Sequence, residues 1–362
     1  MKEIRNDVMV VKELNIETVR AAIRSLGKAT KAELAAQTGI SVVSCNKILN
    51  DLCAAGEVLA TDEMKVPEVH GRAARVYQYN AVYQLVGCVY FATDHEKIMQ
   101  CSVVADLTGK VLEQKREEIH SIDDACILEA VRQLAAQHSK LRVCAVGLPA
   151  SVHRGVIKLS SFSELNGMPL QQHLQHELPD IKILVENDTN AIAYGFYRTA
   201  CGSRDTTIGL IFSPDGVCTS DADNRIWHNR TDATINDLSL GAGFVSCGRI
   251  LRGFSGFAGE IWSLPALREQ TPGMTPVNPM VITDIVLSII AILNPEIIAL
   301  TGGYITEKRI EEVREQCSKR IHPQDMPKLL YRSDTHMDYI QGLVHIALEQ
   351  LSCDVQIIRK EI

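Results

Sequence analysis

Single glycines divide the first 56 residues into three short helical patterns. The patterns end at Gly27, Gly39 and Gly56. Glycine readily adopts the left-handed conformation that ends a helix and allows a sharp turn. Short helices joined through a tight glycine turn are typical of a helix-turn-helix, which constrains the fold of this part of the chain. The apolar residues at helical spacing are Ile16, Val19, Ile23 and Leu26, then Leu34 and Ala35, then Val42, Cys45, Ile48, Leu49 and Leu52.

Capping residues stand before the second and third patterns. Thr30 precedes Glu33 by three residues, which is the spacing of a capping box. Ser41 stands where its hydroxyl can accept a hydrogen bond from the first turn of the third helix. Both patterns are therefore predicted to begin sharply.

The opposite face of the third helix carries short polar side chains and one cation. Serine and asparagine can contact base edges, and lysine can contact base edges or phosphates. We therefore predict that this face binds DNA, and the alternative is a solvated face of an ordinary three-helix element. The residues of the predicted face are Val43, Ser44, Asn46, Lys47 and Asn50.

Two strand patterns with a loop between them follow the helices. Val58 and Leu59 begin the first strand, and residues 75–79 alternate as a second. The loop contains Pro67, His70, Gly71 and Arg72. This arrangement predicts a wing whose Arg72 and Arg75 reach the DNA backbone or a minor groove. Residues 1–80 are thus predicted to be a winged helix-turn-helix domain.

The charge excludes a uniformly basic nucleic-acid binder. The whole chain of 362 residues has a net charge of -7, and residues 1–79 hold 11 Lys and Arg against 10 Asp and Glu. A nearly neutral module binds DNA weakly as one copy, because phosphate neutralisation supplies much of the affinity. We therefore expect a homodimer or a higher homo-oligomer on a double-stranded operator with two half-sites.

Neither a membrane anchor nor a disulfide framework is indicated. No apolar run approaches the roughly 18 residues that span a bilayer, and the first 15 residues mix charges where a signal peptide is apolar. The 11 cysteines are scattered without a CxxC pair. We expect a cytoplasmic protein with free, mostly buried thiols and no cysteine-rich zinc site.

From Leu85 the pattern changes to that of an α/β fold. Three strand patterns come first, between residues 85 and 119, and strands then alternate with helices. Such an order predicts an α/β body with two lobes. We place the first lobe at residues 81–200 and the second at residues 201–339.

Four segments of this body resemble the ROK family (repressor, open reading frame, kinase) of the actin-like sugar-kinase superfamily. They are GLPASVHRGVI at 147–157, VENDTNAIAYG at 185–195, GAGFVSCGRILRGFSGFAGEI at 241–261 and LNPEIIALTGG at 293–303. The resemblance implies a two-lobed actin-like (ribonuclease H-like) ATPase or sugar-kinase fold. It also implies that a helix at about 340–352 returns to the first lobe, and that an effector binds between the lobes. The N-terminal module resembles that of the family's repressors.

The phosphate-binding loops of the family's kinases are degenerate here. The DxGxT loop corresponds to GCVYFATDHEKIMQC, where Thr93, Asp94 and His95 stand at the turn. The second loop, GxGxG, corresponds to residues 239–243, Ser-Leu-Gly-Ala-Gly, and lacks its first glycine. Because bulky residues prevent close approach to phosphates, we expect no kinase activity, no catalytic residue and no cofactor.

The family's sugar site is retained in part. By resemblance Asn187 binds sugar, Asp188 corresponds to the general base, and Glu260 contacts sugar hydroxyls; helix capping is the alternative for all three. The family's NLxGW lid corresponds to residues 164–168, where Glu164 replaces asparagine and Met168 replaces tryptophan. Ser160 and Ser161 are further possible polar contacts. The residues predicted to bind the effector are Ser161, Glu164, Asn187, Asp188 and Glu260.

Two further features argue against a metal. Ser263 stands where the family has a zinc-binding histidine, and the family's cysteine cluster is absent, so we expect no structural zinc. The polar insertion at 213–238 includes Asp221, Asp223 and Asn224 but lacks an EF-hand period and its final glutamate, so it is predicted to be a surface loop.

The Gly302–Gly303 turn is only weak evidence for nucleotide binding, because a pair of glycines after a strand is also common for steric reasons.

These observations lead to three hypotheses. The first is a DNA-binding regulator, in the simplest case a repressor of sugar-metabolism genes, whose body senses a carbohydrate and dimerises. Effector binding would shift the population of states and change operator affinity. The second is an ATP-dependent sugar kinase with a fused DNA-binding domain. The third is a regulator that works without a ligand.

Overall fold

The computed structural model describes residues 2–66, 73–94, 97–160, 162–200, 205–212, 241–264, 279–302 and 305–352. These residues form two compact units. The first holds the described residues up to Leu85 together with Ala105–Lys110 and Ser352, and the second holds the described residues of Val86–Val104 and Val111–Leu351. None of the described helices is both long and apolar enough to cross a membrane.

The first unit consists of three helices and a three-stranded sheet. Its strand order is β1-β3-β2, and both pairings are antiparallel. The middle strand thus joins the short strand between the first two helices to the long strand after the third. The elements are α1 (Lys2–Leu26), β1 (Lys28–Thr30), α2 (Lys31–Thr38), α3 (Val42–Ala54), β2 (Val58–Lys65) and β3 (Ala74–Tyr79).

The turns of this unit are built as the residue pattern predicts. The Thr30 side chain accepts a hydrogen bond from the Glu33 N–H, and the Glu33 carboxylate accepts one from the Thr30 N–H at 2.7 Å, which completes a capping box. Gly39 has a φ of 71° and donates its N–H to the Ala35 carbonyl. Ser41 accepts a hydrogen bond of 3.2 Å from the Ser44 N–H. These local bonds fix where α2 ends and α3 begins.

The core of the first unit lies between the helices and the sheet. Two positions of the predicted apolar stripes are wrong, because Leu26 and Val42 are exposed. They are the last residue of α1 and the first residue of α3, so they lie beyond the surface where the helices pack. The buried core residues are Val19, Ala22, Ile23, Ala29, Leu34, Cys45, Ile48, Leu49, Leu52, Val58, Tyr77 and Tyr79.

The second unit contains two five-stranded sheets and a two-stranded hairpin. The elements of the first sheet and its surroundings are β4 (Leu85–Asp94), β5 (Lys97–Ala105), β6 (Val111–Ile119), α4 (Asp124–Gln137), β7 (Leu141–Leu148), the hairpin β8 (Ala150–His153) and β9 (Val156–Ser160), α5 (Leu170–Glu177), β10 (Lys182–Asn187) and α6 (Asp188–Ala200). The strand order is β10-β7-β4-β5-β6. The β7 and β10 strands are parallel, so their carboxyl ends meet at one edge, where Leu148 pairs with Asn187.

The second sheet has the order β13-β12-β11-β14-β15. Its β11, β14 and β15 strands are parallel, and β12 and β13 are antiparallel to their neighbours. Apolar side chains of α7 pack against this sheet in one core, with Val286 and Ile298 fully buried. The elements are β11 (Thr207–Phe212), β12 (Gly241–Ser246), β13 (Arg249–Ile250), α7 (Pro279–Leu293), β14 (Ile297–Thr301), α8 (Glu307–Ser318), β15 (Lys328–Tyr331) and α9 (His336–Ser352).

The last helix, α9, crosses α6 with backbones almost in contact. A Cβ on Gly195 of α6 would overlap the Asp338 carbonyl oxygen, and a Cβ on Gly342 would overlap the Ala191 carbonyl oxygen. Only glycine permits this approach at either position. The same helix lies over the first sheet, because a Cβ on Gly147 of β7 would be 2.5 Å from the Tyr339 hydroxyl.

Candidate DNA-binding surface and candidate effector site

The predicted DNA-binding face of α3 is accessible in the structure. Val43 is 80 % exposed, Ser44, Lys47 and Asn50 are exposed, and Asn46 is half-buried. The buried residues of the helix are Cys45, Ile48, Leu49 and Leu52, so the core holds one face and leaves the polar face to solvent. The Ser41 cap begins the helix directly before this polar face.

The wing presents a cation on β3, the middle strand of the three-stranded sheet. Arg75 is exposed on β3, where it pairs with Met64 of β2. Lys28 and Lys65 lie on the same sheet but form ion pairs with Glu63 and Glu33. Lys47 and Arg75 form no ion pair within the described part of the chain, so they are available to phosphates.

Several predicted residues lie outside the described residues. They are Pro67, His70, Gly71, Arg72, His95, Ser161, Ser239, Leu240, Gly303 and the insertion at 213–238.

Asn187 and Asp188 occupy the junction between β10 and α6. The Asn187 Oδ1 atom accepts a 2.9 Å hydrogen bond from the Asn190 N–H, so the predicted capping is present. Its Nδ2 atom donates to the Ala150 carbonyl at 2.9 Å and to Asp188 Oδ1 at 3.1 Å. Asn187 therefore ties the helix start, the β8 hairpin and the Asp188 carboxylate together.

Only one oxygen of the Asp188 carboxylate accepts hydrogen bonds from Thr189. Its Oδ1 atom accepts from the Thr189 N–H at 2.7 Å and from the Thr189 hydroxyl at 3.2 Å. Its Oδ2 atom accepts no hydrogen bond from any described residue. The pKa of Asp188 is raised to about 6, chiefly by burial and also by the Glu260 charge, while the Thr189 hydrogen bonds act to lower it. A carboxyl group with this pKa and a free oxygen is suited to accept a ligand hydroxyl.

The charge of Glu260 is one of the causes that raise the pKa of Asp188. Glu260 precedes a 3-10 turn at Ile261–Ser263, but its side chain makes no capping hydrogen bond there. The capping alternative for Glu260 is therefore wrong. Gly259 gives the reason for its position, since a Cβ there would overlap the Ala242 carbonyl oxygen.

The ion pair between the buried Glu186 and the half-exposed Arg252 was not predicted. Arg252 Nε donates to Glu186 Oε2 at 3.0 Å, and Arg252 Nη2 donates to the same oxygen. The Glu186 Oε1 atom accepts from the Asn187 N–H at 3.0 Å and from Asn190 Nδ2 at 3.2 Å. Arg252 follows β13 of the second sheet and Glu186 is in β10 of the first, so the pair joins the two sheets directly beside Asp188.

Glu164 has a different environment from the other predicted effector residues. It is exposed in a 3-10 turn at Ser163–Leu165. No hydrogen bond or ion pair between described residues joins it to Asn187, Asp188 or Glu260. In the same loop the Asn166 Oδ1 atom accepts a 2.7 Å bond from the Ser160 N–H, so this asparagine orders the loop.

The glycines that correspond to the second phosphate loop have a packing role here. A Cβ on Gly243 would be 2.6 Å from both the Thr189 carbonyl oxygen and the Ala193 Cβ, and a Cβ on Gly241 would be 3.0 Å from the Thr189 hydroxyl. Both glycines thus let β12 approach α6. Their presence is explained without a phosphate.

Two tyrosines pack against each other at the first sheet. Tyr90 of β4 and Tyr339 of α9 have ring centroids 4.7 Å apart. Both are buried, and neither hydroxyl has a hydrogen-bond partner among the residues that the structure describes. Tyr90 belongs to the stretch that corresponds to the DxGxT loop, so an aromatic core occupies part of that region. Across the residues that the structure covers, no cluster of three or more His, Cys, Asp or Glu side chains is suited to hold a metal.

No family model matches the sequence, and no curated protein matches it either. Solved structures do match. A ROK family transcriptional regulator, described as a homologue of the E. coli MLC protein, shares 18 % identity and a TM-score of 0.62, over 95 % of this chain and 98 % of that one.

Structures with enzymatic or sugar-bound descriptions match a smaller part of the chain. The ROK hexokinase from Thermus thermophilus shares 16 % identity and a TM-score of 0.52 over 74 % of this chain and 99 % of that one. A ROK family protein from Streptococcus pneumoniae TIGR4 in complex with sucrose shares 14 % identity and a TM-score of 0.53 over 74 % and 99 %. The fold-class prediction is confirmed: this chain has the α/β fold of the ROK-family structures.

Proposed function

We propose that this protein is a DNA-binding transcriptional regulator whose body binds a carbohydrate effector and has no kinase activity. The observation that carries the proposal is the capped α3 helix, whose polar face is exposed while its apolar face is buried. The likeness to a ROK family transcriptional regulator extends over 95 % of the chain and supports it, because the hexokinase likeness extends over only 74 %.

The chemistry of α3 favours duplex DNA as the partner. Serine, asparagine and lysine at the start of a helix suit contacts with base edges in a major groove, and the Val43 methyls suit a thymine methyl. Arg75 and Arg72 on the wing would add backbone contacts. Two copies on two half-sites would supply the affinity that a nearly neutral module lacks.

The chemistry of the body favours a neutral, polyhydroxylated effector. Asp188 offers a free carboxylate oxygen, and Glu260 adds a second carboxylate nearby. Carboxylates accept hydrogen bonds from hydroxyl groups and repel phosphates. Ser161, Glu164 and Asn187 are further candidate contacts, and effector binding would change operator affinity by linkage.

Selection of duplexes from a random library by the purified full chain tests the proposal. A regulator should enrich one sequence, with a specific affinity about 1,000-fold or more above that for unrelated DNA. Asn50→Ala should abolish the enrichment, and Gln316→Ala on α8 should leave it unchanged. Failure to enrich any sequence would remove the proposal.

A thermal-shift screen tests the effector. Sugars and sugar phosphates are added to the full chain, and a ligand at 100 times its dissociation constant should stabilise the folded state by about 2.7 kcal/mol. Shifts with neutral sugars alone are expected. Stabilisation by no sugar at all would favour a regulator that works without a ligand.

A second candidate is an ATP-dependent sugar kinase. The pKa of Asp188 favours it, because a general base with a pKa of about 6 is suited to abstract a proton from a sugar hydroxyl. The replaced DxGxT loop and the packing role of Gly241 and Gly243 oppose it, since phosphoryl transfer depends on phosphate contacts. A coupled ADP-release assay with a panel of hexoses decides between the regulator and the kinase. Turnover that Asp188→Asn abolishes would establish the kinase.

A further inference from the structure

Phe254 is the most exposed large apolar residue in the part of the chain that the structure describes. It is 96 % exposed, and Phe257, three residues later, is 51 % exposed. A ring that stays in water forgoes the free energy that burial would provide. Because binding residues are often carried on loops that a rigid scaffold positions, an aromatic ring held in this way is typical of a ligand contact.

The ring is carried by a short loop, residues 252–258, whose conformation is fixed by its backbone. The two ends are closed on each other, since the Ala258 N–H donates to the Arg252 carbonyl at 3.3 Å. Gly256 has a φ of 78°, and a Cβ there would overlap the Val152 carbonyl oxygen of β8. Both features require glycine at this position. The loop therefore holds Phe254 at a defined place beside the β8–β9 hairpin.

The first side of the loop leads to the candidate effector site. Two residues before Phe254, Arg252 Nε donates to Glu186 Oε2 at 3.0 Å. The other oxygen of the same carboxylate accepts a 3.0 Å bond from the Asn187 N–H. Two residues of chain span at most about 7 Å, so the ring is carried close to this network.

The second side of the loop leads to the same asparagine. Gly256, two residues after Phe254, lies against Val152 of β8. In that strand the Ala150 carbonyl accepts a 2.9 Å hydrogen bond from Asn187 Nδ2. Val152 and Ala150 are again two residues apart, about 7 Å along a strand. Two independent chains of contacts thus place the loop tip at the rim of the site that contains Asn187.

This arrangement separates two parts of a ligand. Asn187 and Asp188 are half-buried and can bind the hydroxyls of one sugar ring. Among the described residues, no hydrogen bond or ring contact joins Phe254 to either of them. A ligand held by those two residues must therefore extend towards solvent to reach the loop. The face of a phenyl ring is negative, so it packs against the C–H groups of a sugar ring and not against an anion.

We propose that Phe254 forms an outer subsite, which packs against the second sugar ring of a disaccharide or larger glycoside whose first ring binds at Asn187 and Asp188. This rests on the proposed function, because it extends the same effector site. It adds that the effector has at least two rings, and that the second is recognised by its apolar face.

Three variants separate the ring from its surroundings. Phe254→Ala removes the ring, and Phe254→Tyr keeps it. Ile292→Ala is the matched control, because it removes a 78 % exposed apolar side chain from α7. None of these changes empties a buried position, so circular dichroism melts of all three should match the wild type.

The experiment is calorimetric titration of the full chain with monosaccharides and with the disaccharides that contain them. The pairs are glucose with maltose and cellobiose, galactose with lactose and melibiose, and N-acetylglucosamine with diacetylchitobiose. At least one disaccharide should bind the wild type about tenfold more tightly than its monosaccharide, the effect expected of one aromatic contact. Phe254→Ala should lose this gain and bind the monosaccharide within twofold of the wild type, whereas Phe254→Tyr and Ile292→Ala should keep the gain.

The other outcomes would overturn the subsite. They are a monosaccharide that binds as tightly as every disaccharide containing it, a gain that survives in Phe254→Ala, and an equal loss for one ring and for two. Sedimentation velocity adds a further one, since a smaller assembly in Phe254→Ala would show that the ring contacts another protein chain. All of these leave the proposed function standing. Binding of no sugar in the panel would overturn both the subsite and the carbohydrate effector, while DNA selection tests the regulator separately.

Discussion

Arg252 Nε donates a 3.0 Å hydrogen bond to Glu186 Oε2 and so joins the second sheet of the body to the first. The Glu186 side chain is 7 % exposed and its other oxygen accepts from Asn187 and Asn190. The buried carboxylate thus holds the strand end that carries Asn187 and Asp188. The geometry of the candidate effector site depends on this pair.

Loss of the arginine should destabilise the body measurably. Arg252→Ala leaves the Glu186 carboxylate buried without its cation, and since Arg252 is half-exposed we expect a cost of about 2 kcal/mol, below that of a fully buried pair. Urea unfolding of the full chain measures it. Arg132→Ala, which removes an exposed ion pair with Glu129, should cost under about 1 kcal/mol. Equal losses of unfolding free energy in the two variants would show that the Glu186–Arg252 pair stabilises the fold no more than an exposed ion pair does.

Asp188 should make stability fall as the pH rises towards neutrality. Its folded-state pKa of about 6 is above the unfolded value, so the native state binds the proton more tightly. The resulting stabilisation is complete below about pH 4 and is lost as the pH rises through 6. Asp188→Asn should therefore be more stable than the wild type at pH 8, by about 2 kcal/mol, and show no such gain at pH 4.

Melting temperatures from pH 4 to pH 8 measure this difference. Asp325→Asn, in an exposed turn, serves as the control and should follow the wild type throughout. Parallel pH profiles for the wild type and Asp188→Asn would contradict the assignment of a raised pKa.

Lys47 should contribute one phosphate contact. Lys47→Ala should weaken binding to duplex DNA and reduce the slope of log K against log salt by about 1. Fluorescence anisotropy at several salt concentrations gives the slope. Lys319→Ala on α8, an exposed lysine of the body, should leave the slope unchanged. An unchanged slope in Lys47→Ala would place this lysine outside the DNA contact.

The crossing of α6 and α9 should tolerate no side chain. In Gly195→Ala the new methyl overlaps the Asp338 carbonyl oxygen, and backbone cannot move aside cheaply, so we expect a loss of more than about 3 kcal/mol or failure to fold. Gly209→Ala is the control, because its Cβ would be 3.4 Å from the nearest atoms, on the Phe244 ring. Expression yield and thermal melting compare the two variants, and similar stability would refute the close crossing.

Features made by neighbouring residues were predictable from the sequence. The capping box of Thr30 and Glu33 and the Ser41 cap each join residues three apart, so their spacing is visible in the sequence. The strand-to-helix junction at Asn187 and Asp188 is likewise local. The end residues Leu26 and Val42 were mispredicted because periodicity does not show where a packing surface ends.

Features made by distant residues were not predictable. Arg252 is 66 residues from Glu186, and nothing around it in the sequence marks it as a partner of a buried carboxylate. Tyr339 lies in an ordinary amphipathic helix, and only the fold brings its hydroxyl to Gly147. The resemblance pointed to Glu260 but not to the reason for its position, which is the close approach of Gly259 to β12.

The most direct test of the account is the specificity ratio of the full chain, measured as its affinity for the selected duplex over that for unrelated DNA at one salt concentration. The account predicts a ratio of about 1,000 or more for the wild type and a ratio near 1 for the double variant Asn46→Ala/Asn50→Ala, with the affinity for unrelated DNA unchanged. A high ratio that survives this double variant would contradict the account, because sequence would then be recognised without the polar face of α3.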